Sequence, residues 1–321
     1  MKKTLIALAA VAATGAAFAQ SSVTISGKFG PSYGKSIGGQ SNLGVTDGDV
    51  RFTSVEDLGG GLKATAAMEL RVRGRGAADD GSATGANSGV GGRNSTLSLA
   101  GGFGSVTLGA IEAGNGIMGL GFAGAPVNLQ SGYDGAILSG VANLDYFNYT
   151  TPALIPGMTL GYTRVDSAGT PALSGATAKG VAADVVGLNY ANGPIAAAAD
   201  YTVYNTDRTR VRISASYDLG IAKIGAGFED NKKNGVYSAG TQNAFGVTVP
   251  MGALTLGAVY AINKEGSASL GAGKTEGWGI GADYGFSKRT VLNVSYGDRT
   301  KMGNATDSNG DQYRVRLMHT F

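Results

Sequence analysis

The feature that most constrains the fold is an alternation of apolar and polar residues with a period of two, which recurs along almost the whole chain. In one such run, Met68, Leu70 and Val72 alternate with Glu69 and Arg71. This pattern predicts a β-strand with one apolar face and one polar face. A helix would instead place apolar residues at positions i, i+3, i+4 and i+7, which these runs do not show. The chain is therefore predicted to be all-β.

The breaks between the runs are of two kinds, which alternate along the chain. Seven are tight and contain Gly, Pro, Asn, Asp or Ser, the residues that accept turn dihedral angles: 57–61, 101–104, 152–157, 192–194, 218–220, 250–252 and 287–288. Eight are mostly longer and polar: 35–46, 74–90, 111–142, 168–179, 205–208, 231–240, 264–274 and 300–310. These breaks separate sixteen strands. An even strand number, with short turns at one end and long loops at the other, predicts a transmembrane antiparallel β-barrel.

The composition agrees with a barrel and excludes two other classes. The chain has 55 Gly and only 7 Pro, with no period of three, so it is not collagen-like. No apolar run after the N-terminal segment approaches the ~20 residues with which a helix spans a bilayer. Tilted strands of about 9–11 residues would cross instead. The sheet must then close, because an open edge in lipid leaves backbone polar groups unpaired.

The first residues have the three parts of a secretory signal peptide. Met1 to Lys3 is basic, Thr4 to Ala13 is apolar, and Ala17 to Ala19 fits the small-x-small cleavage rule. We therefore expect residues 1–19 to be removed and residues 20–321 to form the barrel. Without its two signal lysines the chain is near neutral, so no nucleic acid partner is expected. The chain has no Cys, which excludes disulfides and thiolate metal sites.

The connection 111–142, here called loop 3, is the longest between two predicted strands. A loop of this length without structure is usually functional or disordered. Loop 3 is too apolar for simple disorder, since it contains Ile117, Met118, Leu120 and Phe122. Folding into the barrel interior would explain both its length and its apolar character.

Several turn motifs resemble those of the sixteen-stranded porins of Gram-negative bacteria, in particular the betaproteobacterial type. They are EDLGGGLKA at 56–64, LSLAGGFGSVTLG at 97–109, YANGP at 190–194, YDLG at 217–220, DYGFSKRT at 283–290 and the ending HTF. The resemblance implies a homotrimer in outer-membrane lipid and lipopolysaccharide, with loop 3 inside the pore. It implies passive diffusion of small hydrophilic solutes and ions, without a cofactor. It also implies that Phe321 is a signal for the outer-membrane assembly machinery, in addition to being a girdle aromatic.

The alternation assigns most charged side chains to the pore. An Arg or Lys that faces lipid near the midplane costs about 2–4 kcal/mol, so the polar face should line the lumen. The predicted wall residues are Lys28, Asp49, Arg51, Glu69, Arg71, Arg73, Arg210, Arg212, Asp283, Arg314 and Arg316. The excess of cations predicts a mild anion preference, because charged rings determine selectivity. The alternative is that much of this charge forms internal salt bridges.

In the porin family, a basic cluster on the wall faces acids on loop 3 at the narrowest point. By position, Lys28 and Arg93 match basic wall sites, and Glu112 and Asp134 are the acids of loop 3. Simple alternation gives Arg93 the parity of the lipid-facing Leu97, so its match requires a bulge or a strand end.

The chain departs from the family pattern on one strand. Asp49 and Thr53 stand where the betaproteobacterial pattern has arginine, with Arg51 between them on the same face. This departure leaves the detailed layout of the constriction open.

Three alternatives to a general diffusion pore remain. The first is a substrate-specific channel for a class such as small organic acids, and the second is a surface-interaction barrel with a plugged interior. The third and weakest is an enzyme, since the single His319 lies on the lipid-facing parity and lacks a nucleophilic partner. A dinucleotide-like GxGxxG at 114–119 lacks its βαβ context. The calcium-like run 307–311 lacks the glutamate at position twelve, so we expect no metal.

Overall fold

A computed structural model describes residues 22–72, 90–112, 116–127, 143–166, 182–205, 208–233, 239–266, 273–303 and 309–321. These ranges form sixteen strands and one short helix. Neighbouring strands are antiparallel and the first pairs with the last, so the sheet closes into a barrel. The predicted signal peptide, 1–19, lies outside the described residues. In the described ranges, no helix has both the length and the apolar character needed to cross a membrane.

The first eight strands are β1 (Ser22–Lys35), β2 (Asn42–Gly59), β3 (Leu62–Val72), β4 (Val90–Gly101), β5 (Gly104–Glu112), β6 (Asn143–Thr150), β7 (Met158–Asp166) and β8 (Ala182–Asn192). The other eight are β9 (Ile195–Tyr204), β10 (Arg208–Asp218), β11 (Lys223–Lys233), β12 (Ala239–Met251), β13 (Leu254–Gly266), β14 (Gly273–Gly285), β15 (Thr290–Gly303) and β16 (Gly310–Thr320). The helix α1 (Gly116–Gly121) belongs to loop 3. The predicted sixteen-stranded barrel is confirmed, and each predicted turn and loop coincides with a connection between two of these strands. Several strands extend into the predicted breaks, as β2 does at residues 42–46 and 57–59.

The tight turns form because side chains there bond the local backbone. Asp57 accepts a hydrogen bond from the Gly59 amide at 2.9 Å, and Asp218 accepts one from the Gly220 amide at 2.8 Å. Both glycines have φ of +82°, a conformation that residues with a Cβ rarely adopt. Asp and Gly at these spacings therefore end one strand and direct the chain into the next.

The barrel is apolar outside and polar inside. Val23, Ile213 and Ile280, on outward-facing positions, are 68%, 54% and 51% exposed. The largest fully buried side chains are polar, with Gln242 and Glu229 at 0% exposure. This arrangement is the reverse of a water-soluble domain, and it places an apolar wall against lipid and a polar wall around the lumen.

The seam between β1 and β16 is extended by Phe321. Its amide donates to the Gly27 carbonyl at 3.0 Å, and its carbonyl accepts from the Gly27 amide at 2.9 Å. A Cβ at Gly27 would lie only 2.4 Å from the Cζ atom of the Phe321 ring. Gly27 therefore provides the space in which the ring of Phe321 rests where the barrel closes.

Candidate functional site

The described part of loop 3 lies inside the barrel. Helix α1 contacts β9, β10, β11 and β12. The chain from Leu120 to Pro126 then follows the inner wall across β11 to β14. The wall positions that it meets alternate with outward-facing residues such as Phe245 and Ile280, so they belong to the lumen side. The predicted inward course of loop 3 is thus confirmed for these residues.

Loop 3 rests on a glycine track, which we define as Gly225, Gly246, Gly257 and Gly281. Gly225 pairs with Gly246 across β11 and β12, and Gly257 pairs with Gly281 across β13 and β14. A Cβ at Gly225 would lie 2.1 Å from the Leu120 carbonyl oxygen.

The other three glycines of the track are equally close to the loop. Added Cβ atoms would lie 2.3 Å from the Phe122 carbonyl at Gly246, and 2.5 and 2.1 Å from Pro126 atoms at Gly257 and Gly281. The loop backbone therefore occupies the space that wall side chains would otherwise fill.

Two hydrogen bonds fix the loop to the same wall. The Thr248 hydroxyl donates to the Ala123 carbonyl at 3.0 Å. The Asn293 side-chain amide donates to the Pro126 carbonyl at 2.9 Å, and also to Asp283 at 2.6 Å. Because both carbonyls belong to non-helical backbone, these bonds satisfy groups that the loop itself cannot pair.

A cluster of ionic side chains lines the wall formed by β1 to β5. Arg93 contacts three carboxylates: Asp49 at 2.6 Å, Glu69 at 2.8 Å and Glu112 at 2.6 Å. Arg71 contacts Glu112 at 2.6 Å and Asp49 at 3.8 Å. Four of the predicted wall residues and the predicted loop acid Glu112 are thus in direct contact.

The ionic cluster continues to β16 through Asp47. Lys28 contacts Asp47 at 2.9 Å and Asp49 at 3.3 Å. Arg316 also pairs with Asp47. One connected network of charges therefore joins the β1 to β5 wall with the closing strand.

Arg93 reaches this network because of a β-bulge. Met68 on β3 pairs with Ser95 on β4, but Leu70 pairs with Gly92, so two β4 residues stand opposite Glu69 alone. Arg93 and Asn94 are these two residues, and both bond Glu69. The predicted need for a bulge is confirmed, and it turns Arg93 from the lipid side to the lumen.

The charges of this wall largely cancel one another. Lys28, Arg71 and Arg93 stand against Asp49, Glu69 and Glu112. The alternative that pore-facing charge forms internal salt bridges therefore holds for these three cations. Asp49 holds the network together, because its carboxylate is 6% exposed and contacts all three cations.

Two predicted wall arginines are not neutralised in this way. Arg51 lies opposite Glu69 in register on the lumen face of β2 and is exposed. Within the described ranges it has no hydrogen bond or ion pair. Arg314 on β16 is 9% exposed and likewise has neither among the residues that the structure describes. The cations that make no ion pair on this wall are therefore Arg51, opposite Glu69, and Arg314, two residues from Arg316.

On the opposite wall, arginines of β10 are held by polar neighbours. Arg212 contacts Asp200 at 2.7 Å. Arg210 lies 5.6 Å from the ring centroid of Tyr204 and 3.4 Å from the Thr202 hydroxyl. Asp200 was not predicted to line the pore, because it follows the run Ala196–Ala199, where small residues on both faces hide the period of two.

Two predicted pore residues lie outside the described part of the chain, and a further residue of the lumen was not predicted. Arg73 and Asp134 lie outside the described residues. Asp47 was not predicted to line the pore, because it adjoins a segment assigned to a loop. Its alternation with Asp49 and Arg51 was the available signal, because Asp47 pairs with Gly30 in the same register as these residues and the register shift lies beyond it.

Comparison with known proteins agrees with this architecture. The model of the Gram-negative porin family matches residues 4–304. Outer membrane porin protein 32 of Delftia acidovorans is 29% identical, with 91% of this chain and 88% of that protein covered.

Solved structures show the same fold. An anion-selective porin from Comamonas acidovorans has a TM-score of 0.67 at 24% identity, and covers 94% of this chain and 100% of its own. The trimer form of OmpT, an outer membrane protein of Vibrio cholerae, has a TM-score of 0.72 at 12% identity, and covers 94% and 99%.

The barrel, its inverted polarity and the internal loop define a transmembrane channel. The chain belongs to the family of Gram-negative porins.

The glycine track leads to a test of the position of loop 3. Substituting Gly246→Val would force the Phe122 backbone away from the wall and into the lumen. We expect a single-channel conductance lower by tens of per cent, measured in a planar bilayer. The control is Gly187→Val on the lumen face of β8, where an added Cβ meets atoms only at 3.8 Å and beyond. Equal conductance of the two variants would contradict the docked position.

Proposed function

We propose that the protein is a general porin through which small hydrophilic solutes and ions diffuse passively. The observation that carries the proposal is the course of loop 3, whose described residues follow the wall instead of crossing the lumen as a plug. A polar interior within a closed barrel is the setting in which water and polar solutes can pass a bilayer. Family membership points in the same direction.

We propose further that the pore prefers anions mildly. A simple excess of arginines does not explain this preference, because Lys28, Arg71 and Arg93 are neutralised by carboxylates. The preference instead depends on Arg51 and Arg314, which make no ion pair among the described residues. The name of the anion-selective neighbour from Comamonas acidovorans agrees with this direction.

Two substitutions test the origin of the selectivity. Arg51→Gln removes an exposed cation and should reduce the anion preference. Asp49→Asn removes the carboxylate shared by three cations and should increase it. Zero-current potentials under a KCl gradient give the sign and size of each change. A cation-selective wild-type pore, or changes in the opposite directions, would refute the proposal.

General and substrate-specific pores differ in their concentration dependence. Flux that rises linearly for many neutral sugars and amino acids in a liposome-swelling assay supports the general pore. Saturation of these neutral fluxes at low concentration would favour the specific channel, since saturation requires a binding site.

We propose a homotrimer in which the outer wall of β3, β4 and β5 contacts neighbouring copies. These three strands contain no Phe, Tyr or Trp, whereas each of the other thirteen contains at least one. Aromatic residues form the girdles where a barrel meets lipid headgroups. A wall without them is therefore suited to protein contact rather than to lipid. The trimer form of the Vibrio cholerae neighbour supports this assembly.

A fluorophore can report which wall faces lipid, because the native chain has no Cys. Leu97→Cys places it on β4, and Ile280→Cys places it on the aromatic-bearing wall, at 57% and 51% exposed positions. We expect lipid-borne nitroxides to quench the label strongly at position 280 and weakly at position 97. Dissociation into monomers should abolish the difference. Equal quenching in the intact assembly would contradict the proposed contact wall.

We also propose that residues 1–19 are cleaved on export and that Phe321 is recognised during assembly. The pairing of Phe321 with Gly27 supports the second point, because the same residue completes the seam of the barrel. Lipopolysaccharide and outer-membrane lipid would then surround the apolar wall.

A further inference from the structure

The lumen face of β16 carries three side chains that each have one unpaired buried donor. Gln312, Arg314 and Arg316 occupy alternate positions on this face and are 1%, 9% and 7% exposed. Each has a buried nitrogen with no hydrogen-bond partner among the described residues: Nε2 of Gln312, Nε of Arg314 and Nε of Arg316. Alternate residues of a strand lie about 6.8 Å apart, so the three donors form a ladder along the strand.

Arg314 is the arginine of this ladder that makes no ion pair within the described ranges. Arg316 pairs with Asp47, and the same carboxylate also contacts Lys28 at 2.9 Å. Arg314 makes no ion pair and no hydrogen bond within the described ranges. A guanidinium that is nine-tenths buried is costly without an acceptor.

The register partners of Arg314 supply no carboxylate. Its register partners are Ser295 on β15 and Gly34 on β1. Gly34 has no side chain, and an added Cβ would lie 3.3 Å from that of Arg314. The Ser295 hydroxyl donates to Asn293 at 3.1 Å. Neither register partner therefore supplies the Arg314 head group with an ion pair.

This space adjoins the anchor of loop 3. Arg316 pairs in register with Asn293, whose side chain holds the Pro126 carbonyl at 2.9 Å. An ion that passes between the loop and the closing strand would therefore meet the ladder. The position lies on the lumen side of the barrel, opposite the lipid-facing Val315 and Leu317.

We propose that Gln312, Arg314 and Arg316 form a saturable binding site for oxyanions on the lumen face of β16. The ligand class is a carboxylate, phosphate or sulfate group. A planar guanidinium fork matches two oxygens of such a group, and an adjacent amide N–H can bind a further oxygen. Chloride matches this geometry less well, because a single centre cannot accept the two parallel bonds of the fork on separate atoms. The site rests on the proposed anion-preferring pore, which it refines by adding a chemical preference among anions.

The expected behaviour follows from a site within an open pore. An ion that binds and leaves more slowly than chloride occupies the path and reduces the chloride current. Addition of sodium sulfate, sodium phosphate or sodium acetate to a KCl-bathed channel should therefore lower the chloride current in a saturable manner. Comparison of the three salts identifies which oxyanion geometry the site prefers.

Three variants separate the site from the general charge of the pore. Arg314→Gln removes the central donor and should weaken the oxyanion block by about tenfold or more, the effect of losing charge-assisted hydrogen bonds. Arg314→Lys keeps the charge but loses the fork, so it should keep the chloride over potassium preference and weaken the block. Arg51→Gln removes an equal charge from the exposed part of the lumen and should leave the block unchanged.

The outcomes distinguish the oxyanion site on β16 from the general anion-preferring pore. A wild-type pore that prefers chloride over potassium but shows no saturable block by any of the three oxyanions overturns the site and leaves the general pore intact. Equal loss of the block in Arg314→Gln and Arg51→Gln also overturns it, since bulk charge would then be responsible. Loss of the block in both Arg314 variants, with preserved block in Arg51→Gln, supports it.

Discussion

The structure depends on the requirement that no backbone polar group face lipid unpaired. The hydrocarbon core offers no water to bond an N–H or C=O, so a sheet can cross only if its edges join. Here β1 pairs with β16, and the pairing of Phe321 with Gly27 continues this seam beyond the last strand. Once the sheet closes, alternation alone decides which side chains meet lipid and which line the lumen. The apolar exterior and the polar interior are thus consequences of one closure.

The lumen needs its own means of control, and loop 3 provides it. A loop inside a barrel must keep its backbone paired and must leave space for solutes. The glycine track leaves space for solutes, because the absence of side chains on four neighbouring strands lets the loop lie close to the wall. Thr248 and Asn293 help to keep the loop backbone paired. The same wall then adjoins the arginines of β16, so the position of the loop and the charge of the path are linked.

Local patterns in the sequence were sufficient for the number of strands, the turns and the sides of most charged residues. Arg93 could be assigned to the lumen only with a bulge, because its parity indicates the opposite side. The neutralisation of Arg71 and Arg93 could not be predicted, since Asp49, Glu69 and Glu112 meet them across three strands. Gly225, Gly246, Gly257 and Gly281 likewise had no local signal, as a glycine in a strand can mark many features. These contacts depend on the register between strands that are distant in sequence, and the period of two contains no information about that register.

The central claim is that loop 3 is docked on the inner wall of an open barrel, and a disulfide can test it. An added Cβ at Gly121 would lie 3.3 Å from the Cβ of Ala244 on β12, close to the separation that a disulfide spans. The chain has no Cys that would compete. In the double variant Gly121→Cys and Ala244→Cys, we expect the disulfide to form and the single-channel conductance to be the same before and after reduction. Failure to form the disulfide, or a conductance that changes on reduction, would contradict the docked loop.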